Sequence, residues 1–221
     1  MLIDCDPQAN ATSGIGVFTE KDDLTIYDLM VREDIDPHDV VVATETPNLF
    51  CIPGSIDLVG AEIELVSRMR REYVMDNIIK QLRDEYDFIF LDCLPSLGII
   101  TLNVLTAVDS VIVPAQCEIF AMEGLNKLTD TIQMVKKHLN PRLEIEGVLL
   151  SMYDSRLRLA NIILNEVRNF AGKKIYNTII HRNARIGEAP NAHKPVIMYD
   201  ANCKGSTNFL NFANEFLSKQ K

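Results

Sequence analysis

The chain has 221 residues, 47% of them apolar and 24% charged, a balance that suits one α/β domain with a sizeable core. It has no run of about eighteen uncharged apolar residues, so no transmembrane helix is expected, and no basic-then-apolar leader, so no signal peptide is expected. Net charge is −9 but unevenly spread: residues 1–135 hold 8 Lys and Arg against 24 Asp and Glu, and residues 136–221 hold 14 against 7. Such asymmetry points to a basic face toward an anionic partner, set against the plainer reading of a solvated surface with clustered charge.

Met1–Asp4 is an apolar run that ends in carboxylates at Asp4 and Asp6. Pro7 offers no ladder donor, so the strand stops there and both acids fall at its C-terminal end. In open parallel sheets that edge is where ligands bind. Carboxylates there suit the water shell of a hard cation such as Mg²⁺, or the orientation of an attacking water. For an isolated Asp-x-Asp, the competing reading is a strand end capped by turn-forming acids.

A helix is predicted over Leu24–Met30, an acidic surface loop over Asp34–Asp39 and a strand over Leu49–Ile52. Over Asp57–Glu85, Leu58, Ala61, Leu65 and Met69, then Val74, Ile78, Ile79 and Leu82, recur at helical spacing. This predicts two helices broken near Arg70 and Arg71. The strand Asp87–Leu91 then ends in Asp92, with Pro95 turning the chain. That is the Walker-B pattern, in which a strand-end carboxylate accepts hydrogen bonds from Mg²⁺-bound waters. If the two strands are parallel neighbours, Asp4, Asp6 and Asp92 share one crevice.

Further along, helices are predicted over Leu97–Ala107, Met122–His138, Leu157–Phe170 and Thr207–Leu217, and strands over Ser110–Pro114, Glu146–Ser151 and Ile175–Ile180. The apolar runs Phe88–Leu91 and Val111–Val113 imply burial on both faces. Met122, Leu125, Leu128, Ile132 and Val135 read as a core stripe. The terminal stripe of Phe209, Phe212, Phe216 and Leu217 has few lysines beside it, which favours a helix docked on the core over a membrane anchor. The fold expected is a single α/β domain over residues 1–221, with a doubly wound, mostly parallel sheet and helices on both faces. Five widely spaced cysteines, three of them (Cys51, Cys93, Cys117) in or beside apolar runs, read as reduced core residues, and the four histidines show no ligand spacing.

Several segments resemble the ParA/Soj partition ATPases of the wider ParA/MinD group of P-loop ATPases. Asp4-Cys-Asp-Pro-Gln-Ala-Asn-Ala-Thr-Ser-Gly14 resembles the Walker A′ segment, and Ile52–Leu65 the stretch that follows it. Asn103–Glu118, Ala121–Leu125, Arg182–Pro190 and Lys194–Asp200 resemble later motifs in the same order. The resemblance implies an ATP- and Mg²⁺-dependent homodimer that binds DNA non-specifically and is regulated by a ParB-like protein, in the cytoplasm and on the nucleoid. It implies that Asp6 orients the hydrolytic water and that Asp4 and Asp92 hold Mg²⁺ through water. Met152 and Pro190 fall where that family lines its adenine pocket, and Arg182, Arg185 and Lys204 fall in its DNA-facing region.

The chain departs from the family pattern in several places. It contains no Gly-x-x-x-x-Gly-Lys loop, the backbone cradle and lysine that neutralise the β- and γ-phosphates, and Met1 aligns with an internal strand position of the family. The expectation is therefore that the 221 residues bind ATP poorly, do not hydrolyse it alone and tend to associate. Leu94 and His181 stand where the family usually has proline, and Asn202 where a basic residue is common. Two rival readings are a non-catalytic binding protein that keeps the fold, and a MinD-like membrane-positioned ATPase.

Overall fold

The structure is a computed structural model that describes residues 1–94 and 98–220. The chain divides into two compact units, Met1–Val108 with Val135–Pro141, and Asp109–Met134 with Arg142–Lys221.

The chain runs through β1 Leu2–Asp4, α1 Asn10–Gly14, α2 Ile26–Val31, a 3₁₀ turn at Pro37–Val40, β2 Val42–Ala43, β3 Phe50–Ile52, α3 Leu58–Glu64, α4 Val74–Leu82, β4 Phe90–Asp92 and α5 Ile99–Ala107. The first unit's sheet has the order β2-β3-β1-β4, with β1 parallel to both β3 and β4 and the short β2 antiparallel to β3. Its core is mainly apolar: Ile3, Ile26, Met30, Ile52, Leu58, Met75 and Leu82 are fully enclosed. Asn103 is one of the polar side chains buried with them, and both ends of its amide are hydrogen-bonded. Oδ1 accepts the Met75 N–H at 3.1 Å, while Nδ2 donates to the carbonyls of Arg71 at 2.7 Å and Ile99 at 2.9 Å. This network ties α5 to the start of α4.

The break expected near Arg70 is present. A 3₁₀ turn at Leu65–Ser67 ends α3, Arg68 is extended, and Arg70 takes a left-handed φ of 56° before α4 begins. The helical register is lost before Met69, which explains why that residue is 91% exposed rather than part of the core stripe. A second correction concerns β4. Its run of apolar residues was expected to be buried on both faces, yet Phe90 is exposed. Successive side chains of a strand point to opposite faces, and Ile89 and Leu91 pack against the first unit's core whereas Phe90, on the alternate face, does not. The acidic stretch expected as a loop over Asp34–Asp39 runs into the 3₁₀ turn, whose first residue is Pro37 and whose N-cap Asp36 accepts the His38 N–H at 3.0 Å.

The chain continues through β5 Ser110–Gln116, α6 Ala121–His138, β6 Glu144–Tyr153, α7 Arg158–Ala171, β7 Ile175–His181, α8 Ala184–Glu188, α9 Val196–Tyr199 and α10 Lys204–Lys219. The second unit's sheet has the order β5-β6-β7, with both pairings parallel. Four of the five strand pairings in the two sheets are parallel, as the strand–helix alternation predicts. In α6, Leu125, Ile132 and Val135 are buried and Met122 and Leu128 half-buried, so that stripe is core. Phe209, Phe212 and Phe216 of α10 pack on Leu149, Tyr176 and Ile180, whereas Leu217 is 46% exposed. The terminal helix is docked on its sheet, and no helix among the described residues is long and apolar enough to cross a membrane.

Tyr176 marks a weak point in this packing. Its ring meets Phe212 edge-on at 4.9 Å and lies under the Lys219 ammonium at 3.8 Å, but its buried hydroxyl has no hydrogen-bond partner among the described residues. Burial pushes the phenol up to about 12. A buried hydroxyl without a partner carries a desolvation cost that phenylalanine lacks. Tyr176→Phe is therefore expected to leave stability unchanged or raise it by up to about 1 kcal/mol in urea unfolding. A loss of more than about 1 kcal/mol would show that the hydroxyl is paired in solution.

Candidate functional site

From β1 the chain moves to β3 on one side, then crosses back to place β4 on the other. Strand order thus reverses at β1, and the crevice beyond the C-terminal ends of β1 and β4 is the position where open α/β sheets bind ligands. Asp4 and Asp92 end these two strands and are direct register partners. The Cys5 N–H donates to the Asp92 carbonyl at 2.7 Å, carrying the pairing one residue further. Asp6 follows at once, so three carboxylates gather at one sheet edge. Their proximity is felt electrostatically: partial desolvation, then the charges of Asp4 and Asp6, push the Asp92 carboxyl above its ordinary range.

The three acids are not equivalent. Asp4 is completely buried. Its Oδ2 accepts both the Thr12 N–H at 2.8 Å and the Thr12 hydroxyl at 2.7 Å, and its Oδ1 accepts the Asp6 N–H at 3.2 Å. The same hydroxyl accepts the Gly54 N–H at 2.9 Å, so a directed chain runs from Gly54 through Thr12 to Asp4. Gly54 itself is needed here, because a Cβ would come within 3.0 Å of the Asp4 carboxyl carbon and 3.1 Å of the carbonyls of Asp4 and Asp6. Asp6 is half-exposed and holds its own loop, accepting the Gln8 N–H on Oδ1 at 2.8 Å. Ala9, which caps α1, sits at a left-handed φ of 50°, a strained setting of the kind found at functional loops. Asp92 is exposed to solvent.

Among the described residues no three acids, histidines or cysteines converge closely enough to ligate an ion directly. Hard carboxylates at a shared edge still fit magnesium, which keeps most of its water shell and takes one or two carboxylates. Desolvation first, and the charges of Asp4 and Asp6 second, raise the Asp92 carboxyl, and a cation would offset the repulsive part. The cysteines beside the site do not supply thiolates. Cys5 and Cys51 are buried and Cys93 half-buried, and burial holds Cys51 up at about 12, Cys93 at about 11 and Cys5 well above the usual thiol range.

The remaining candidates lie in the second unit. Met152, near the C-terminal end of β6, is 43% exposed and has a left-handed φ of 54°. Pro190 is exposed in a 3₁₀ turn, Ala189–Ala192. Arg182 follows β7, is exposed, and donates its N–H to the Tyr153 carbonyl at 3.0 Å. Arg185 is engaged by two carboxylates, Glu188 at 2.6 Å and Asp200 at 3.3 Å, so much of its charge is neutralised. Lys204 is exposed at the first turn of α10. The sequence reading did not single out Thr12, Gly54 or Glu62. The partners of Thr12 are 8 and 42 residues away, and those of Glu62 are 37 and 38 away, distances that leave no local pattern.

Mostly parallel strands whose order reverses beside two acid-tipped ends have the architecture of the P-loop ATPase fold class. The AAA domain family (AAA_31) matches residues 1–145. The sporulation initiation inhibitor protein Soj of Bacillus subtilis is 46% identical over 215 residues, covering 97% of this chain and 85% of its own length. The chromosome partitioning protein ParA of Caulobacter vibrioides is 44% identical over 223 residues, covering 100% of this chain and 83% of its own. Cobyrinic acid a,c-diamide synthase from Mycobacterium smegmatis, solved with bound ADP and magnesium, matches with TM-score 0.76 at 33% identity, over 87% of this chain and 77% of that one. The chain belongs to the ParA/Soj family of chromosome-partitioning ATPases.

The electrostatics of Asp92 give a signed test. Its carboxyl is raised in the folded state, so the cost of ionising it is absent in acid and complete above the folded value. In the absence of divalent cations, Asp92→Asn is expected to raise stability at neutral pH, with the gain fading by about pH 3. Denaturant unfolding at the two pH values reads it, and a variant less stable than the parent at neutral pH contradicts the arrangement.

Proposed function

We propose that the crevice beyond β1 and β4 is the magnesium and water side of an ATPase site in an ATP-gated, DNA-binding partition protein, a site that needs in addition the Gly-x-x-x-x-Gly-Lys phosphate cradle that these 221 residues do not contain. The observation that supports this most is the register pairing of Asp4 with Asp92 at the point of strand-order reversal, with Asp6 two residues on. In this reading Asp92, exposed and electrostatically strained, accepts hydrogen bonds from magnesium-bound waters. Asp4 adds charge from beneath, with one acceptor direction of Oδ1 left for a water. Asp6, on a loop fixed by its own side chain, orients the water that attacks the γ-phosphate. Magnesium supplies charge neutralisation of the phosphates when bound. In the second unit Met152 and Pro190 are the residues proposed to contact adenine, and the strained backbone at Met152 fits a position held for a ligand.

Soj and ParA relatives carry the names of chromosome-partitioning proteins, and that role extends here to a homodimer acting with a ParB-like partner on DNA in the cytoplasm. Both units then belong to one ATPase domain, a view supported by relatives that align over nearly the whole chain. Arg182 and Lys204 present charge to DNA phosphates, while Arg185 contributes less because Glu188 and Asp200 engage it.

Two measurements test the proposal. Millimolar Mg²⁺ is expected to raise the melting temperature of the parent, as binding to the folded state alone requires, and Asp92→Asn is expected to abolish the increase. An increment that survives in Asp92→Asn would move the cation elsewhere. For DNA, Arg182→Ala is expected to weaken binding to unrelated sequences equally and reduce the salt slope by about 1, with a smaller effect for Arg185→Ala. Equal losses from the two variants would remove the distinction drawn from the ion pairs.

A further inference from the structure

The N-cap residue of helix α5 supplies no side-chain cap. It is Gly98, which has no side chain to accept the exposed amides of the first turn. A carboxylate from a different helix does this instead. Glu62 of α3, half-buried, accepts the Ile99 N–H on Oε2 at 3.1 Å and approaches the Ile100 N–H with Oε1 at 3.5 Å. Its negative charge also meets the positive end of the helix dipole. Gly98 is the residue that permits this approach, because a Cβ there would run into the Glu62 carboxylate.

The same turn of α5 holds the segment that carries Asp92. The Thr101 hydroxyl donates to the Leu94 carbonyl at 3.0 Å, two residues beyond Asp92. A continuous path therefore runs from Glu62 through the first turn of α5 to Leu94 and back along the chain to Asp92. Asn103 ties α5 to Arg71 and Met75 and also donates to the Ile99 carbonyl, so the amides of the first turn are what Glu62 is left to hold.

We infer that Glu62 is a positioning residue for Asp92: by capping α5 from α3 it sets the height of the Leu94 carbonyl and hence the direction of the Asp92 carboxylate. The inference rests on the reading of Asp92 as a magnesium-side acid, but its test does not. α3 also follows directly from the loop at Gly54, whose amide is bound to Thr12.

The test is two-dimensional NMR of the 221-residue protein without added cation, comparing Glu62→Ala and Glu62→Gln with the parent. Glu62→Ala is expected to speed hydrogen exchange at Ile99 and Ile100 by about tenfold and to shift the Cys93 amide and the Asp92 carboxyl carbon. Glu62→Gln keeps an acceptor and is expected to restore most of the Asp92 shift. If changes in Glu62→Ala stop at Ile99 and Ile100, the residue is a cap only and the inference fails. Should Glu62→Ala fail to fold, Glu62→Asp serves: the shortened side chain is expected to move the same Asp92 signal, and an unmoved signal overturns the proposal. A second arm adds Mg²⁺ alone. A parent without any magnesium response would sink the functional reading, while the cation-free comparison still decides the role of Glu62.

Discussion

A carboxylate sealed from solvent is costly unless donors surround it, and Asp4 is sealed completely. What makes it tolerable is Thr12, which gives Asp4 both a backbone and a side-chain hydrogen bond while its hydroxyl receives the Gly54 amide. That one hydroxyl fixes three pieces of chain: the end of β1, the start of α1 and the loop leaving β3. Everything proposed for the crevice depends on this arrangement, because the loop so fixed carries Asp6 and the strand so anchored pairs with β4 and Asp92. Thr12 cannot be replaced by an apolar residue of the same shape without leaving the Gly54 N–H unpaired and Asp4 Oδ2 with the Thr12 N–H alone.

The electrostatic consequence runs against stability. Partial desolvation, and then the charges of Asp4 and Asp6, raise the Asp92 carboxyl, so the folded protein holds charge that would be more comfortable in solution. Sites that bind cations commonly carry such a penalty, since the repulsion removed on binding adds to the affinity. The distribution of exposure suits that division: Asp4 buried and structural, Asp6 half-exposed on a fixed loop, Asp92 at the surface. Neighbouring cysteines held neutral by burial leave the carboxylates as the charged groups at this edge.

Much of this was readable in the sequence because it is written in local signals. An apolar run ending in Asp-x-Asp-Pro, and another ending in Asp92, mark two strand ends, and alternation with helical stretches implies parallel pairing that brings them together. The helix break at Arg70 and the docking of α10 through Phe209, Phe212 and Phe216 follow from periodicity in the same way. Three features were not legible. Phe90 looks like a core residue until the structure shows that the core covers the face carrying Ile89 and Leu91 and not the face carrying Phe90. Met69 keeps helical spacing although the backbone has already left the helix at Arg68. The partners of Thr12 and Glu62 lie on elements far away in sequence, and no spacing rule reaches across them. The family resemblance assigned Asp4 to the metal but gave no hint that Thr12 would occupy its side chain first.

Manganese can replace magnesium as a paramagnetic probe, and the broadening it causes falls steeply with distance. The central claim is that a divalent cation is drawn to the crevice built by Asp4, Asp6 and Asp92. Titrating the ¹⁵N-labelled protein with substoichiometric Mn²⁺ should broaden the amides of Asp6 and Asp92 first, ahead of the acidic surface around Asp34, Asp36 and Asp39. Broadening that begins on that surface, or spreads evenly over all exposed acids, would contradict it.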